Sequence, residues 1–311
     1  MKAIKTSLFV FVALLLISIG GETRIVCRVE IESYAFNKAR NSSFSNLILK
    51  DYSWKDINSG IIVKIENNKI FLDSSVPLRS FLVHLQIEEE QLAEALSSFG
   101  IPEKWLKISY RSQAELRQKR EELVREASRR GIAYDSKEQA FRVDYDWIIE
   151  RSREGLKNAT VRMLEVARGV NDADERRIIG VISSFVQALT YVKEKSTRLA
   201  SNGESIFTAG VSMPVETLAR GSGDCDTKCL LFASLVTNLR SADIVFLRGG
   251  QHLFAAIAAI PRPNDRYIEW RNKKYVLIEL TDMWPLGRIP DENWRALKLK
   301  RFEVIPVANA H

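Results

Sequence analysis

The sequence is poor in the side chains that do proton chemistry near neutral pH: its 311 residues hold three histidines, His84, His252 and His311, and three cysteines, Cys27, Cys225 and Cys229. So few imidazoles leave a short list of candidate bases. His311 ends the chain, where fraying is expected, and His84 lies among apolar residues that read as a packed strand. Three thiols are an odd number, which in an exported chain leaves at least one free or tied to a partner. There is no internal repeat and no low-complexity linker. No zinc finger, arginine-rich arm or aromatic RNA-binding motif accompanies the modest excess of 46 Lys and Arg over 39 Asp and Glu. Much of that charge sits between Gln113 and Arg130 with both signs at helical spacing, the pattern of a solvated helix, so no nucleic-acid partner is expected.

Long apolar runs are also missing, apart from Ser7 to Gly21 behind Lys2 and Lys5, which has the charged and apolar regions of a secretory signal. It is shorter than the roughly twenty residues that normally span a bilayer. Export to the periplasm or beyond, across the cell envelope, is therefore expected. The leader is either cleaved near Gly20 to Glu22 or kept as an inner-membrane anchor. Its removal would lower the formal charge from +7 to +5 through loss of Lys2 and Lys5. Cys27 either pairs with Cys229 or is a buried thiol.

The remaining cysteine is the most informative residue. Cys225 stands in Gly221-Ser222-Gly223-Asp224-Cys225-Asp226-Thr227-Lys228, where a glycine-rich loop meets an almost wholly apolar helix. A thiolate in the first turn of a helix is stabilised by unpaired N–H groups and the positive dipole end. Asp224 and Asp226 oppose that effect, so a nearby base is needed. His252, in Gly249-Gly250-Gln251-His252 just before the apolar run Leu253 to Ile260, is the base that a glycine loop and a buried strand would hold in place. Glu279, the one acid in the apolar strand Lys274 to Leu280, is the candidate to orient the imidazole. Asp282 is the alternative, facing away from Glu279 in a regular strand. Three other readings stand beside these: Cys225 topping a buried stripe with Cys229, Phe232, Val236 and Leu239; a metal site of Cys225, Cys229 and His252, which lacks a fourth ligand; and Glu279 as a strand-end carboxylate paired with a surface cation. No metal and no cofactor is expected.

These residues resemble the transglutaminase-like superfamily of cysteine enzymes, within the wider papain-like group. Pro214-Val215-Glu216-Thr217-Leu218 followed by Gly221 to Asp226 resembles the block around the nucleophile. His252 heading an apolar strand and Glu279-Leu280-Thr281 ending the next one resemble the other two blocks, and Phe185 to Tyr191 resembles the helix before the nucleophile. The likeness covers about residues 175 to 290. The family's acid is usually Asp; glutamate, longer by one methylene, serves only if the strands lie further apart or the side chain bends. The resemblance implies a bacterial exported thiol protease, amidase or acyl transferase working through a Cys225 thioester on a protein or peptide. It implies Gln187 as a second oxyanion donor beside the Cys225 N–H, with Asp224 in support. An envelope scaffold that keeps the fold without catalysis is the alternative class.

The expected architecture is α+β, with the cysteine helix, 227–239, packed on an antiparallel sheet of at least three strands, 243–247, 253–260 and 275–280. Three segments are expected: a leader at 1–21, a mixed α/β domain at 22–150 and the catalytic domain at 151–311. In the second, residues 60–73 read as a hairpin, 80–86 as a strand, and 88–99 and 112–130 as helices. Residues 141–149 are ambiguous between strand and helix, whereas 151–168 and 174–195 read as helices.

Overall fold

Alternating burial along two ten-residue strands sets the first layer. The computed structural model describes residues 47–307 except 67, 170–173, 240–241, 251 and 300. The leader, the membrane anchor, Cys27 and His311 lie outside those residues. The described chain opens with β1 (Leu47–Asp56), the hairpin β2 (Ile62–Glu66) and β3 (Lys69–Leu72), then β4 (Arg79–Glu88), which pairs antiparallel with β1. Tyr52 and Trp54 of β1 and Val83, Leu85 and Ile87 of β4 turn inward, every second residue, as a half-buried ribbon requires. His84 lies on the opposite face. It is in a strand as expected but not packed: its side chain is 70 % exposed and paired with Asp51, because its alternation parity puts it outside.

Helix α1 (Glu89–Ser98) follows and stops at Phe99, after which Gly100 takes a left-handed φ of 86°. Then come β5 (Ile101–Pro102), the charged helix α2 (Gln113–Ser128) and the hairpin of β6 (Ile132–Asp135) and β7 (Ala140–Val143). The ambiguous stretch divides at Asp144, whose carboxylate accepts from the Trp147 N–H. That N-cap ends β7 and starts α3 (Tyr145–Arg168), so the helix begins six residues before the expected start and residue 150 lies within it.

α4 (Glu175–Ala188) is shorter than its periodicity implies. Leu189 is extended, and the chain enters β8 (Thr190–Tyr191), with the Thr190 and Val192 N–H groups donating to the carbonyls of Gly221 and Gly223. Two short strands, β9 (Thr197–Leu199) and β10 (Ser205–Phe207), join β5 in the order β5-β10-β9. Next are α5 (Pro214–Arg220), with proline at its start and Gly221 at φ 71° closing it, β11 (Ser222–Gly223) parallel to β8, and α6 (Cys225–Leu239).

The C-terminal part is an antiparallel sheet of β12 (Ile244–Gly249), β13 (His252–Ala258), β14 (Tyr267–Trp270) and β15 (Lys273–Ile278), then α7 (Asp291–Lys298) and β16 (Glu303–Pro306). Its order is β14-β15-β13-β12-β16, so β13 is the central strand. Alternation divides it between two cores: Ile244, Phe246, Leu253, Ala255 and Ile257 join the cluster around α6, while Val245, Leu247, Phe254, Ala256 and Tyr275 join a second one with Leu297 of α7. Strands flanked on both faces are apolar throughout, which is how these segments read. The molecule is therefore α+β, with the cysteine helix against an antiparallel sheet.

The larger cluster draws on both sides of residue 150. Phe185 of α4 packs edge-on against Tyr52 and Trp54 at 5.3 Å between ring centroids, and the Trp54 indole N–H donates to Ser184 at 3.0 Å. Among the described residues no helix is long and apolar enough to cross a membrane.

Candidate active site

Helix α6 is buried on nearly all sides, with twelve of its fifteen residues out of solvent. Its entry is built by the residues before it. A Cβ at Gly223 would meet the Thr227 side chain at 2.8 Å, so only glycine lets the loop come down so closely. Asp224 then caps the helix: one carboxylate oxygen accepts the Thr227 N–H and the other the Glu194 N–H, both at 3.2 Å. Asp224 is thus a support, locking the cysteine turn to the segment after β8. Cys225 follows as the first helical residue, 7 % exposed.

Strand β13 meets that turn through one residue. The Leu253 N–H donates to the Cys225 sulfur, and the Cys229 thiol, one turn down, donates to the Leu253 carbonyl at 3.4 Å. His252 is the neighbour of the residue both sulfurs hold. Its ring, 26 % exposed, stands edge-on to Phe254 at 4.2 Å, and its Nε2 is 3.1 Å from Oε2 of Glu279. With Nε2 engaged there, Nδ1 is the ring nitrogen not bonded to Glu279.

Glu279 lies one position beyond the end of β15 and is 2 % exposed. Its second oxygen accepts the Thr281 N–H at 2.8 Å and the Thr281 hydroxyl at 2.5 Å, which gives the Glu-x-Thr spacing a physical role. Burial alone would push this carboxyl up; the hydrogen bond and charge of His252 and the two Thr281 bonds outweigh it and hold the carboxyl below its ordinary value. Asp282 is exposed and accepts the Met283 N–H, so it is Glu279 that holds His252. The longer acid reaches the ring from beyond the strand, where the backbone has already left the pleat.

The Cys225 thiol faces a carboxylate of its own helical turn. It donates to Oδ1 of Asp226 at 3.3 Å, and it is pushed up to about 12, first by burial and then by the Asp226 charge, against the Leu253 N–H. Asp226 is itself tied back, its other oxygen accepting from the Tyr145 hydroxyl at 2.9 Å, which accepts in turn from Arg248 at 2.9 Å. Helix position alone leaves this thiol protonated; an imidazolium alongside is required to make a thiolate at neutral pH.

Gln187 is placed behind the site and not at the oxyanion. Both hydrogens of its amide go to main-chain carbonyls, those of Glu279 at 2.7 Å and Trp284 at 2.6 Å, so none remains for a substrate oxygen. Its role is to hold the segment that carries the acid. Sequence reasoning missed Lys228, fully buried, with its ammonium on the carbonyls of Gln187 at 3.3 Å and Leu189 at 2.7 Å. The signal for it was a lone cation inside an otherwise apolar helix, three residues after the cysteine. Tyr145 and Arg248 were missed as well; neither carries any motif. Among the described residues no three His, Cys, Asp or Glu side chains form a group able to hold a metal ion.

Comparisons with protein-family models, with curated proteins and with solved structures find no match.

Proposed function

We propose that this chain is an exported thiol enzyme that acts on amide bonds through a thioester on Cys225, as a protease or amidase with a transglutaminase-like catalytic fold. The observation that carries the reading is the placement of three groups: the Cys225 sulfur on the Leu253 N–H, His252 next to Leu253 along β13, and His252 Nε2 on Glu279 at 3.1 Å. That order of thiol, imidazole and carboxylate is what covalent acyl transfer needs.

In this mechanism Nδ1 of His252 takes the Cys225 proton as the thiolate attacks the carbonyl carbon of an amide. Glu279 holds the ring by Nε2 and stabilises the imidazolium as it forms. The positive end of α6 faces the charge that develops on the substrate oxygen. The imidazolium then protonates the departing amine, and water, activated by the same ring, releases the acid and frees the thiol.

The burial of the thiol and its hydrogen bond to Asp226 favour a second reading, an envelope scaffold with an idle cysteine. The Cys225→Ser variant separates the two when it is exposed to a cell-envelope extract and analysed by intact mass. An acyl adduct on the introduced hydroxyl supports the enzyme, and its mass names the substrate. No adduct, together with no amide cleavage by wild type, supports the scaffold. A labelled amine incorporated in place of water would instead mark an acyl transferase.

A further inference from the structure

Lys228 is an unusual charge to bury. It sits one turn below Cys225, at 0 % exposure, in a helix whose other inward residues are apolar, cysteine or small hydroxyl side chains. Removing an ammonium from water is strongly unfavourable unless the surroundings replace the lost hydration. Here the replacement is the C-terminal end of α4, where the Gln187 and Leu189 carbonyls have no partner inside the helix and carry the negative end of its dipole. The same Gln187 reaches the other way with its side chain, donating to Glu279 and Trp284. Its own Oε1 is buried without a hydrogen-bond partner. An orphaned buried acceptor of this kind is destabilising, because it has lost its water without gaining a partner. Turning the amide over would set that oxygen against two carbonyls, so the orientation is forced.

We infer that Lys228 and Gln187 form a buried bracket that positions Glu279, and through it His252, relative to the cysteine turn of α6. The inference rests on the thiol-enzyme reading and adds two positioning residues to it. One end of the bracket is the helix that carries the nucleophile, the middle is the C-terminus of α4, and the far end is the main chain of the acid itself.

Burial pulls the Lys228 ammonium down to about 8, while Glu279 and Asp282, from the segment after β15, and Cys229, on its own helix, draw it back up. From α4 it faces the carbonyls of Gln187 and Leu189. Above that pH the bracket loses its charge, and the contact of Lys228 with the α4 carbonyls becomes that of a neutral amine.

The test reads the ring directly. In 15N-labelled protein the His252 Nε2–H proton, bonded to Glu279, is followed by NMR from pH 6 to 10 in wild type, Lys228→Met and Gln187→Met, with the iodoacetamide rate at Cys225 measured in parallel. Gln187→Met removes the orphaned oxygen but also leaves the Glu279 and Trp284 carbonyls without their donors, so its folding is checked by melting temperature before the ring is read, with Lys228→Met as the second variant. Both variants are expected to move the Nε2–H signal and to slow Cys225 alkylation about tenfold or more, the scale of a misplaced catalytic group. The wild-type signal is expected to shift with a midpoint about 8, a step absent from Lys228→Met. Folded variants whose ring signal and pH profile superimpose on wild type would overturn the bracket. A Cys225 that fails to react even in wild type counts against the thiol-enzyme reading instead, and the ring signal still decides the bracket.

Discussion

The Cys229 thiol donates to the carbonyl oxygen of Leu253, the residue whose N–H is bonded to the Cys225 sulfur. Two sulfurs one helical turn apart therefore grip a single strand residue, and the neighbour of that residue is His252. Cys229, which looks like core filling in the sequence, acts as the lower clamp on the strand that carries the base.

Cys229→Ala tests the clamp. Loss of one buried sulfur is expected to lower stability by about 1–2 kcal/mol. It is also expected to slow Cys225 alkylation severalfold, because β13 is then held at one point only. Urea unfolding and alkylation kinetics give the two numbers, and a stability loss with an unchanged alkylation rate would reduce Cys229 to packing.

Asp226→Asn is expected to make Cys225 more reactive. The carboxylate receives the thiol proton at 3.3 Å and its charge opposes the thiolate, so neutralising it lowers the thiol pKa and speeds iodoacetamide labelling at neutral pH. Tyr145→Phe, which frees Asp226 from one hydrogen bond, is expected to do the reverse.

Much of this arrangement is legible in the sequence, and the parts that are not share one cause. The glycine-rich entry to α6, the base heading an apolar strand and the acid near the end of the next are local patterns, and each stands where its pattern places it. The apolar spacing of α4 continues past Leu189, which is why the sequence reads as helix through to residue 195. What stops the helix is pairing of Thr190 and Val192 with Gly221 and Gly223, some thirty residues on, which no helical period can register. Resemblance puts Gln187 at the oxyanion, and only the positions of Glu279 and Trp284 in space reveal where its amide points. The strands β14 and β16 escape the sequence as well: β14 is four residues between turn signals and β16 joins the sheet edge from the far side of α7.

Acid titration probes Glu279. Its folded-state value lies below its ordinary one, so the unfolded chain binds the proton first as pH falls. The stability it contributes is full above the ordinary carboxylate value and is lost as pH drops through the folded value. Thr281→Val removes the hydroxyl hydrogen bond to the carboxylate while keeping the backbone one, and is expected to move that loss to higher pH, seen in urea midpoints between pH 3 and 6. An acid limb identical to wild type would contradict the assignment.

The opposite limb belongs to Lys228. Burial lowers its value from 10.5 to about 8, so between those values the unfolded chain holds more protons than the folded one. Stability is therefore expected to gain a contribution as pH rises through this window, and Lys228→Met to remove it.

Phe185→Ala examines the shared core. Phe185 lies against Tyr52 and Trp54 of β1 while its helix also supports the site, so its loss is expected to cost about 3–5 kcal/mol. Calorimetry should show one transition moving as a whole; a variant in which only part of the heat absorption moves would show that residues on the two sides of α3 melt separately.

The most direct measurement is the rate of Cys225 alkylation by iodoacetamide at pH 7, read by peptide mapping against Cys229, in wild type and in His252→Ala. The account expects Cys225 to react well ahead of Cys229, and to slow by an order of magnitude or more once the imidazole is gone. Equal, slow labelling of both cysteines, unchanged by His252→Ala, would contradict it.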